Sequence, residues 1–264
     1  MRLGAVLALG LLAACTTPDG PAPQVFDPYE GANRRMHAFN RGLDRALLRP
    51  AGTTYAKVVP DDVSDAVGNF AGNLATPSYV VNDILQARLD DALVNTYRFV
   101  VNSTIGMAGL VDAAEIFGVP ARRSDFGETL YVWGLPEGAY VELPGVGPST
   151  ERRAAGMAVD LFTNPLSYVL DDPEKYAGPV AGVVKRIGDR GRYAGTVDSL
   201  LYDSADSYAQ ARLTYLQNRR FTLGSNQGGS GNDAGDPFAD PYEDPYAQAS
   251  QDPYADPYAD PYAE

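Results

Sequence analysis

The spacing of apolar residues along the chain predicts a mainly α-helical protein. A first helix is expected to begin at Asp27, which can cap it, and to stop at Pro50. Its apolar positions are Met36, Phe39, Leu43, Leu47 and Leu48. A second helix starts near Pro60, and apolar positions keep one helical register over residues 80–97. That register continues into residues 99–111, a stretch without charge that suits either a buried helix and turn or a surface that contacts lipid.

Glycine, proline and aromatic residues replace the helical spacing over residues 126–148. This segment is expected to be irregular, with one short hairpin that pairs residues 130–132 with residues 139–141. Ser149 or Thr150 then caps a further helix. The expected fold class is therefore mainly α, in a single domain.

The N-terminus has the layout of a secretory signal peptide that ends in a cysteine. Arg2 precedes an apolar run over residues 3–12, which is too short to span a bilayer. The small residues before Cys15 resemble the lipobox of bacterial lipoproteins, in which Cys15 would be acylated and become the first mature residue. The alternative is a simple signal peptide, or a short buried helix, with a cysteine present by chance.

Four segments follow from composition. Residues 1–14 are the signal peptide, residues 15–26 an extended tether rich in proline, residues 27–224 the helical domain, and residues 225–264 an acidic tail. In the tail, Asp-Pro-aromatic recurs six times, beginning at Asp236, Asp240, Asp244, Asp252, Asp256 and Asp260. The repeat is expected to be disordered, either as an arm for another envelope protein or peptidoglycan, or as low-complexity sequence without a role.

Charge and composition exclude several functions. The formal net charge is -13, and an acidic chain without a basic patch is a poor partner for nucleic acid. With Cys15 acylated, no thiol remains for a disulfide, a zinc cluster or a nucleophile. The single histidine, His37, is expected to be a surface or packing residue. We expect neither a cofactor nor a metal site.

Several ordered blocks resemble the MlaA family of lipoproteins, also called VacJ. They comprise Asp27-Pro28-Tyr29-Glu30-Gly31-Ala32-Asn33-Arg34; Asn69-Phe70 with Asn73-Leu74, Pro77, Asn82 and Leu85-Gln86; Arg98-Phe99 with Asn102, Gly106, Gly109 and Asp112; and Phe126-Gly127 with Thr129-Leu130, Gly134, Gly138, Tyr140, Leu143-Pro144 and Gly147-Pro148-Ser149-Thr150. Residues 203–221 resemble the family's last helix. Glu151, Arg153 and Ser207 depart from the usual family residues.

The resemblance implies a ring of helices in the inner leaflet of the outer membrane of a Gram-negative bacterium, facing the periplasm. Thr16, which follows Cys15, is not the aspartate that retains lipoproteins at the inner membrane of enteric bacteria. Phospholipids that have strayed into the outer leaflet would pass through an amphipathic channel to a soluble periplasmic carrier (MlaC-like), and then to an inner-membrane ABC transporter. The family associates with trimeric porins and performs no chemistry.

The candidate surfaces for the channel or the membrane are uncharged or aromatic. They are Phe99, Ile105, Gly106, Met107, Gly109 and Leu110, together with Tyr131, Trp133 and Tyr140. The basic residues Lys185, Arg186, Arg190 and Arg192 form either a site for headgroups or carrier, or a solvated face. Two other functions stay open: a passive lipoprotein that braces porins or cell wall, and a phospholipase, for which Gly-x-Ser-x-Gly is missing.

Overall fold

The computed structural model describes residues 25–226. The predicted signal peptide, Cys15 and the predicted acidic tail from residue 227 onward lie outside these residues, whereas residues 225 and 226 end the last helix. The described chain is mainly helical with one two-stranded sheet, which confirms the expected fold class. It divides into a compact unit that ends at Leu216 and a second that starts at Gln217, of which the structure describes only the end of the last helix.

The elements follow one another in this order. The first half has α1 Glu30–Leu43, a π-helical turn Asp44–Leu48, α2 Arg49–Val58, α3 Asp61–Leu85, α4 Leu89–Thr104, α5 Ala113–Ile116 and α6 Phe126–Val132. The second half has β1 Tyr140–Leu143, β2 Gly147–Thr150, α7 Glu151–Asp160, α8 Leu166–Val169, a 3-10 turn Glu174–Tyr176, α9 Ala177–Arg192, α10 Ala194–Asp198, a π-helical turn Ser199–Asp203 and α11 Ser207–Asn226.

Pro50 does not stop the first helix, so that prediction is wrong. The backbone stays helical from α1 through the π-helical turn into α2, where Pro50 is the second residue. Proline lacks an N–H and crowds the carbonyl group four residues earlier. A π-helical turn directly before it widens the helix at the place where α-helical bonding would be interrupted.

The single register predicted over residues 80–97 is also wrong, because the chain reverses between α3 and α4. Ala87 takes a φ of 59°, which ends α3 although Pro77 within the same helix does not. The amide of Gln86 turns inward and donates to Ser124 Oγ at 2.9 Å and Thr129 Oγ1 at 2.8 Å. Long-range hydrogen bonds of Gln86 thus outweigh the local apolar spacing.

One hairpin is present, but its first strand is not the predicted one. β1 pairs antiparallel with β2, with Tyr140 opposite Thr150. Residues 130–132 belong instead to α6, whose first turn is capped by the Asp125 side chain accepting the Glu128 N–H at 2.9 Å. The Asp-x-x-Glu pattern is a helix-start signal that the glycine-rich composition concealed. Thr150, rather than Ser149, caps α7.

Burial is inverted relative to an ordinary soluble domain. Much of the described interior is polar, whereas many large apolar side chains are exposed. On α1 the buried side chains are Asn33 and His37, while Phe39 of the predicted apolar face is 56 % exposed. On α4 the exposed face comprises Leu89, Leu93, Tyr97 and Val100, and the buried face comprises Ala92, Asn95, Arg98, Val101 and Asn102. Within residues 25–226, no helix is both long and apolar enough to cross a bilayer.

Two asparagines on α1 bind the hairpin through its backbone. The side chain of Asn33 donates to Tyr140 O at 3.0 Å and accepts from Glu142 N at 3.0 Å. Asn40 lies seven residues, or about two helical turns, further along α1. Its side chain donates to Leu143 O at 2.9 Å and accepts from Gly145 N at 2.8 Å. Each amide supplies one donor and one acceptor, as a neighbouring strand would.

Replacing Asn33 should therefore detach the hairpin from α1. In Asn33→Leu, the buried Tyr140 carbonyl and Glu142 N–H lose their partners, and we expect the free energy of unfolding to fall by about 3 kcal/mol. Chemical denaturation of the purified chain measures this. Arg35→Gln, at an exposed position of the same helix, is the matched control. Equal stability of the two variants would contradict the role of Asn33.

A buried carboxyl group makes stability depend on pH. Burial raises the pKa of Asp83 to about 6, although the hydrogen bond from Asn95 (2.7 Å) and the charge of Arg88 act against the rise. An unfolded aspartate has a pKa of about 3.9, so the folded chain binds this proton more tightly. Stability should therefore increase as pH falls from 7 towards 5, by about 1 kcal/mol from this group. Denaturation at several pH values should show a smaller increase in Asp83→Asn, and equal slopes would refute the assignment.

Candidate functional site

Two adjoining cavities lie along α3 and α9, where small residues occupy the facing surfaces. One has a volume of about 290 Å³ and the other about 300 Å³. Ala71, Ala75 and Gly182 line both, so the cavities meet at these residues. Gly182 is exposed and a Cβ added there would meet nothing within 4 Å, so a larger side chain fits at this position.

The first cavity, here called the polar cavity, is lined mainly by amide, hydroxyl and charged side chains. From α3 these are Asn69, Asn73, Thr76 and Tyr79, and from α4 Asn95, Arg98 and Asn102. The α3 polar residues recur at helical spacing between Gly68, Ala71, Gly72 and Ala75, so one face of α3 is both polar and narrow. Asp112, Arg123 and Lys185 complete the wall.

Arg98 and Asp112 neutralise each other in this wall. Arg98 Nη2 donates to Asp112 Oδ2 at 2.6 Å, and Asn102 Nδ2 donates to Asp112 Oδ1 at 2.9 Å. Burial acts to raise the pKa of Asp112, but the hydrogen bonds from Asn102, the Glu115 N–H and Arg98 together hold that pKa below its usual value. The pair is thus ionised and rigid, with no net charge.

Asn73 is the buried group in this wall whose hydrogen bonding is incomplete. Its side chain is 4 % exposed, and its Nδ2 donates to Ser103 Oγ at 2.9 Å. Its Oδ1 accepts no hydrogen bond from the residues that the structure describes. Because buried polar atoms are nearly always paired, a ligand or solvent donor is expected at this oxygen.

The second cavity, here called the apolar cavity, has walls of a different chemistry. Leu74, Leu161, Leu166, Leu170 and Pro179 supply apolar surface. Its polar residues include Asp160. Burial raises the pKa of this carboxyl group, although hydrogen bonds from the Phe126 N–H and Asn82 act to lower it. An elongated molecule with one polar and one apolar part would match the two cavities together.

The six candidate residues from the uncharged stretch lie outside the lining of both cavities; they are Phe99, Ile105, Gly106, Met107, Gly109 and Leu110. Ile105, Met107 and Leu110 are exposed, by 63 %, 62 % and 42 %, and Phe99 is half-buried. Gly106 is buried against its own chain, because an added Cβ would lie 2.2 Å from Val111 O. Gly109 (φ +92°) packs against the Asn73 side chain. The glycines thus allow the chain's own atoms, rather than a ligand, to approach.

The three aromatic candidates occupy different environments. Trp133 is 49 % exposed and its Nε1 donates to Leu85 O at 3.1 Å. Tyr131 is half-buried beneath the guanidinium group of Arg152. Tyr140 is buried with Tyr208 in an apolar cluster and does not reach the surface.

The basic residues 185–192 do not form one face. Lys185 lines the polar cavity, whereas Arg190 is buried in an ion pair with Asp44 at 2.7 Å. Arg186 donates to Val146 O at 3.0 Å, and Arg192 pairs with Asp65 at 2.6 Å. Most of this set therefore joins α9 to neighbouring segments.

Sequence reasoning missed Asn69, Asn73, Asn95 and Arg123, although polar residues at helical spacing among small ones were a visible signal.

His37 lies in a buried chain of polar groups that resembles a hydrolase triad in order. Its Nε2 is 3.1 Å from Ser207 Oγ, and its Nδ1 is 3.3 Å from Glu142 Oε1. The Ser207 hydroxyl is 6 % exposed and also accepts from Arg41. These groups join α1, β1 and α11.

Among residues 25–226 no cluster of three histidine, cysteine or carboxylate side chains could hold a metal ion.

Comparisons with known proteins agree with this architecture. The family model described as MlaA lipoprotein matches residues 25–222. The intermembrane phospholipid transport system lipoprotein MlaA of Escherichia coli is 34 % identical over 84 % of this chain and 88 % of its own length. The protein of that name from Haemophilus influenzae is 30 % identical over 75 % of this chain and 79 % of its own. An uncharacterized protein of Rickettsia felis is 35 % identical over 72 % and 74 %.

One solved structure has the description "Structural basis for maintenance of bacterial outer membrane lipid asymmetry". It superposes on this chain with a TM-score of 0.64 at 32 % sequence identity. The match covers 75 % of this chain and 98 % of that one. The family model spans the helices that line both cavities, and the chain belongs to the MlaA lipoprotein family.

Proposed function

We propose that this chain is an outer-membrane component of intermembrane phospholipid transport, and that the two adjoining cavities are its lipid route. The observation that carries the proposal is the junction at Ala71, Ala75 and Gly182, where a polar wall meets an apolar one. The relatives named for intermembrane phospholipid transport support it.

A phospholipid needs both kinds of wall to leave a bilayer. Its charged headgroup loses hydration on entering an apolar space, at a cost of several kcal/mol, unless polar groups replace the water. The amides and ions around Arg98 supply such groups in the polar cavity. Leu74, Leu161 and Leu166 cover acyl chains in the apolar cavity.

The exposed apolar surface suits a protein partly immersed in a leaflet. Leu89, Leu93 and Tyr97 form one outward face of α4, and Ile105 and Met107 continue it. Apolar side chains gain free energy in contact with acyl chains rather than with water. We propose that this surface lies in the inner leaflet of the outer membrane, that acylated Cys15 anchors the chain there, and that its site faces the periplasm.

The finer steps are part of the same proposal. Phospholipid from the outer leaflet would pass to a periplasmic carrier (MlaC-like) and an inner-membrane ABC transporter, with trimeric porins as neighbours. A passive brace for porins or cell wall is the second candidate. Loss of a brace would leave the phospholipid content of the outer leaflet unchanged. A phospholipase would leave hydrolysed lipid in the purified sample.

Filling the junction should block transport without unfolding the chain. In Gly182→Leu the new side chain projects into open space, and leucine favours a helix over glycine by up to about 1 kcal/mol. We expect cells that carry only this variant to accumulate phospholipid in the outer leaflet, as cells without the gene do. The measurement is the amount of phospholipid in the outer leaflet.

Gly42→Leu is the matched control, because Gly42 is also helical, its added Cβ meets nothing within 4 Å, and it lines neither cavity. This variant should clear phospholipid normally. Clearance by Gly182→Leu at the wild-type level would exclude the junction as the route. If cells without the gene have a normal amount of phospholipid in the outer leaflet but fail to assemble porins, the chain acts as a brace.

The exposed face of α4 should hold the chain to lipid even without acylation. In a Cys15→Ala background, adding Leu93→Glu places a charge at a side chain that is 70 % exposed, so folding should be retained. We expect binding to phospholipid vesicles to fall about tenfold, because a buried leucine contributes roughly 2 kcal/mol and the carboxylate must be dehydrated. Flotation measures binding. Leu93→Met is the apolar control, and equal binding by both variants would show that this face does not enter the bilayer.

A further inference from the structure

We infer that the polar cavity prefers anionic phospholipids whose headgroup carries a hydroxyl donor, as phosphoglycerol does, over zwitterionic ones. The inference rests on the proposed function and specifies the substrate of the same site. Three side chains carry it: Arg123, Lys185 and Asn73.

Cations prevail in the polar cavity once internal pairs are taken into account. Arg98 and Asp112 cancel each other. Lys185 pairs with Asp189, and both side chains of that pair stay partly exposed, at 36 % and 42 %. Arg123 lines the same cavity, and its positive charge acts on the neighbouring Tyr79 hydroxyl. Tyr79 is neutral at pH 7, and burial raises its pKa further above the ordinary value for tyrosine.

The remaining positive charge lies beside a deep hydrogen-bond acceptor. Arg123 and Lys185 can pair with a phosphodiester, while the Oδ1 of Asn73 lacks a donor among the described residues. A headgroup that satisfies all three needs a negative phosphate and a neutral donor attached to it. A glycerol hydroxyl is such a donor and brings no positive charge.

An ethanolamine headgroup fits less well for an electrostatic reason. Its ammonium group could also donate to Asn73 Oδ1, but it would lie in the same cavity as Arg123 and Lys185. Like charges in a partly dehydrated cavity repel more strongly than in water. The cavity therefore discriminates by net charge, with Asn73 setting the depth that the headgroup reaches.

The test is lipid extraction by the full-length chain purified in detergent. The chain is incubated with vesicles of equimolar phosphatidylglycerol and phosphatidylethanolamine, and the lipid retained after reisolation is quantified by mass spectrometry. Wild type should retain phosphatidylglycerol in excess. Arg123→Gln should reduce that excess about threefold, as expected for one partly exposed charge.

Arg122→Gln is the matched control, because Arg122 is the neighbouring residue, pairs with Asp91 and does not line the cavity. It should retain the wild-type ratio. Asn73→Asp places a carboxylate at the acceptor and should favour phosphatidylethanolamine instead. Circular dichroism verifies that each variant is folded, and the ratio of two lipids does not depend on the folded fraction.

The outcomes separate this inference from the proposed function. Equal retention of both lipids by wild type, or an unchanged ratio in Arg123→Gln, overturns the headgroup preference and leaves transport intact. Retention of neither lipid overturns both. Soluble glycerophosphoglycerol that binds as tightly as the lipid in calorimetry would assign the cavity to a free phosphodiester and would also overturn the inference.

Discussion

Polar side chains inside this fold must find hydrogen-bond partners in one another, because large apolar side chains lie mostly on the outside. The asparagines of α1 satisfy the edge of the hairpin, and Asn95 joins α4 to Asp83 of α3. A buried polar network contributes geometry as well as stability, since a one-residue shift would leave several groups unpaired. The helices are thus held in register by directed bonds.

The same constraint explains why cavities form between α3 and α9. Gly68, Ala71 and Gly72 give α3 a narrow face, and Gly182 gives α9 another. Small residues leave space that no side chain fills, while the amides beside them keep the space polar on one side. An apolar core of interlocking side chains would have closed it. An inverted interior is therefore compatible with a stable fold and with an open route for an amphipathic ligand.

An apolar exterior and a polar interior are two aspects of one adaptation. In a bilayer, apolar side chains lose nothing by facing outward, so the hydrophobic effect does not draw them into the core. The proposed contact with acyl chains would account for the outward face of α4 and for the exposed Ile105 and Met107. Membership of the MlaA lipoprotein family is consistent with that environment. Electrostatic pairs such as Arg98 with Asp112 stabilise the polar wall of the cavity.

Local sequence was sufficient for the helical class, for a helix cap at Ser149 or Thr150 and for the blocks that identify the family, because spacing and capping act within a few residues. It misplaced the end of the first helix at Pro50, the reversal at Ala87 and the first strand of the hairpin. Long-range hydrogen bonds of Gln86 settled the reversal, whereas the π-helical turn before Pro50 and the Asp125 cap of α6 are local features that the composition concealed. Above all, periodicity finds the two faces of a helix such as α4 but cannot tell which one meets the interior. That choice depends on the medium outside and on partners distant in the chain, which only the folded arrangement brings together.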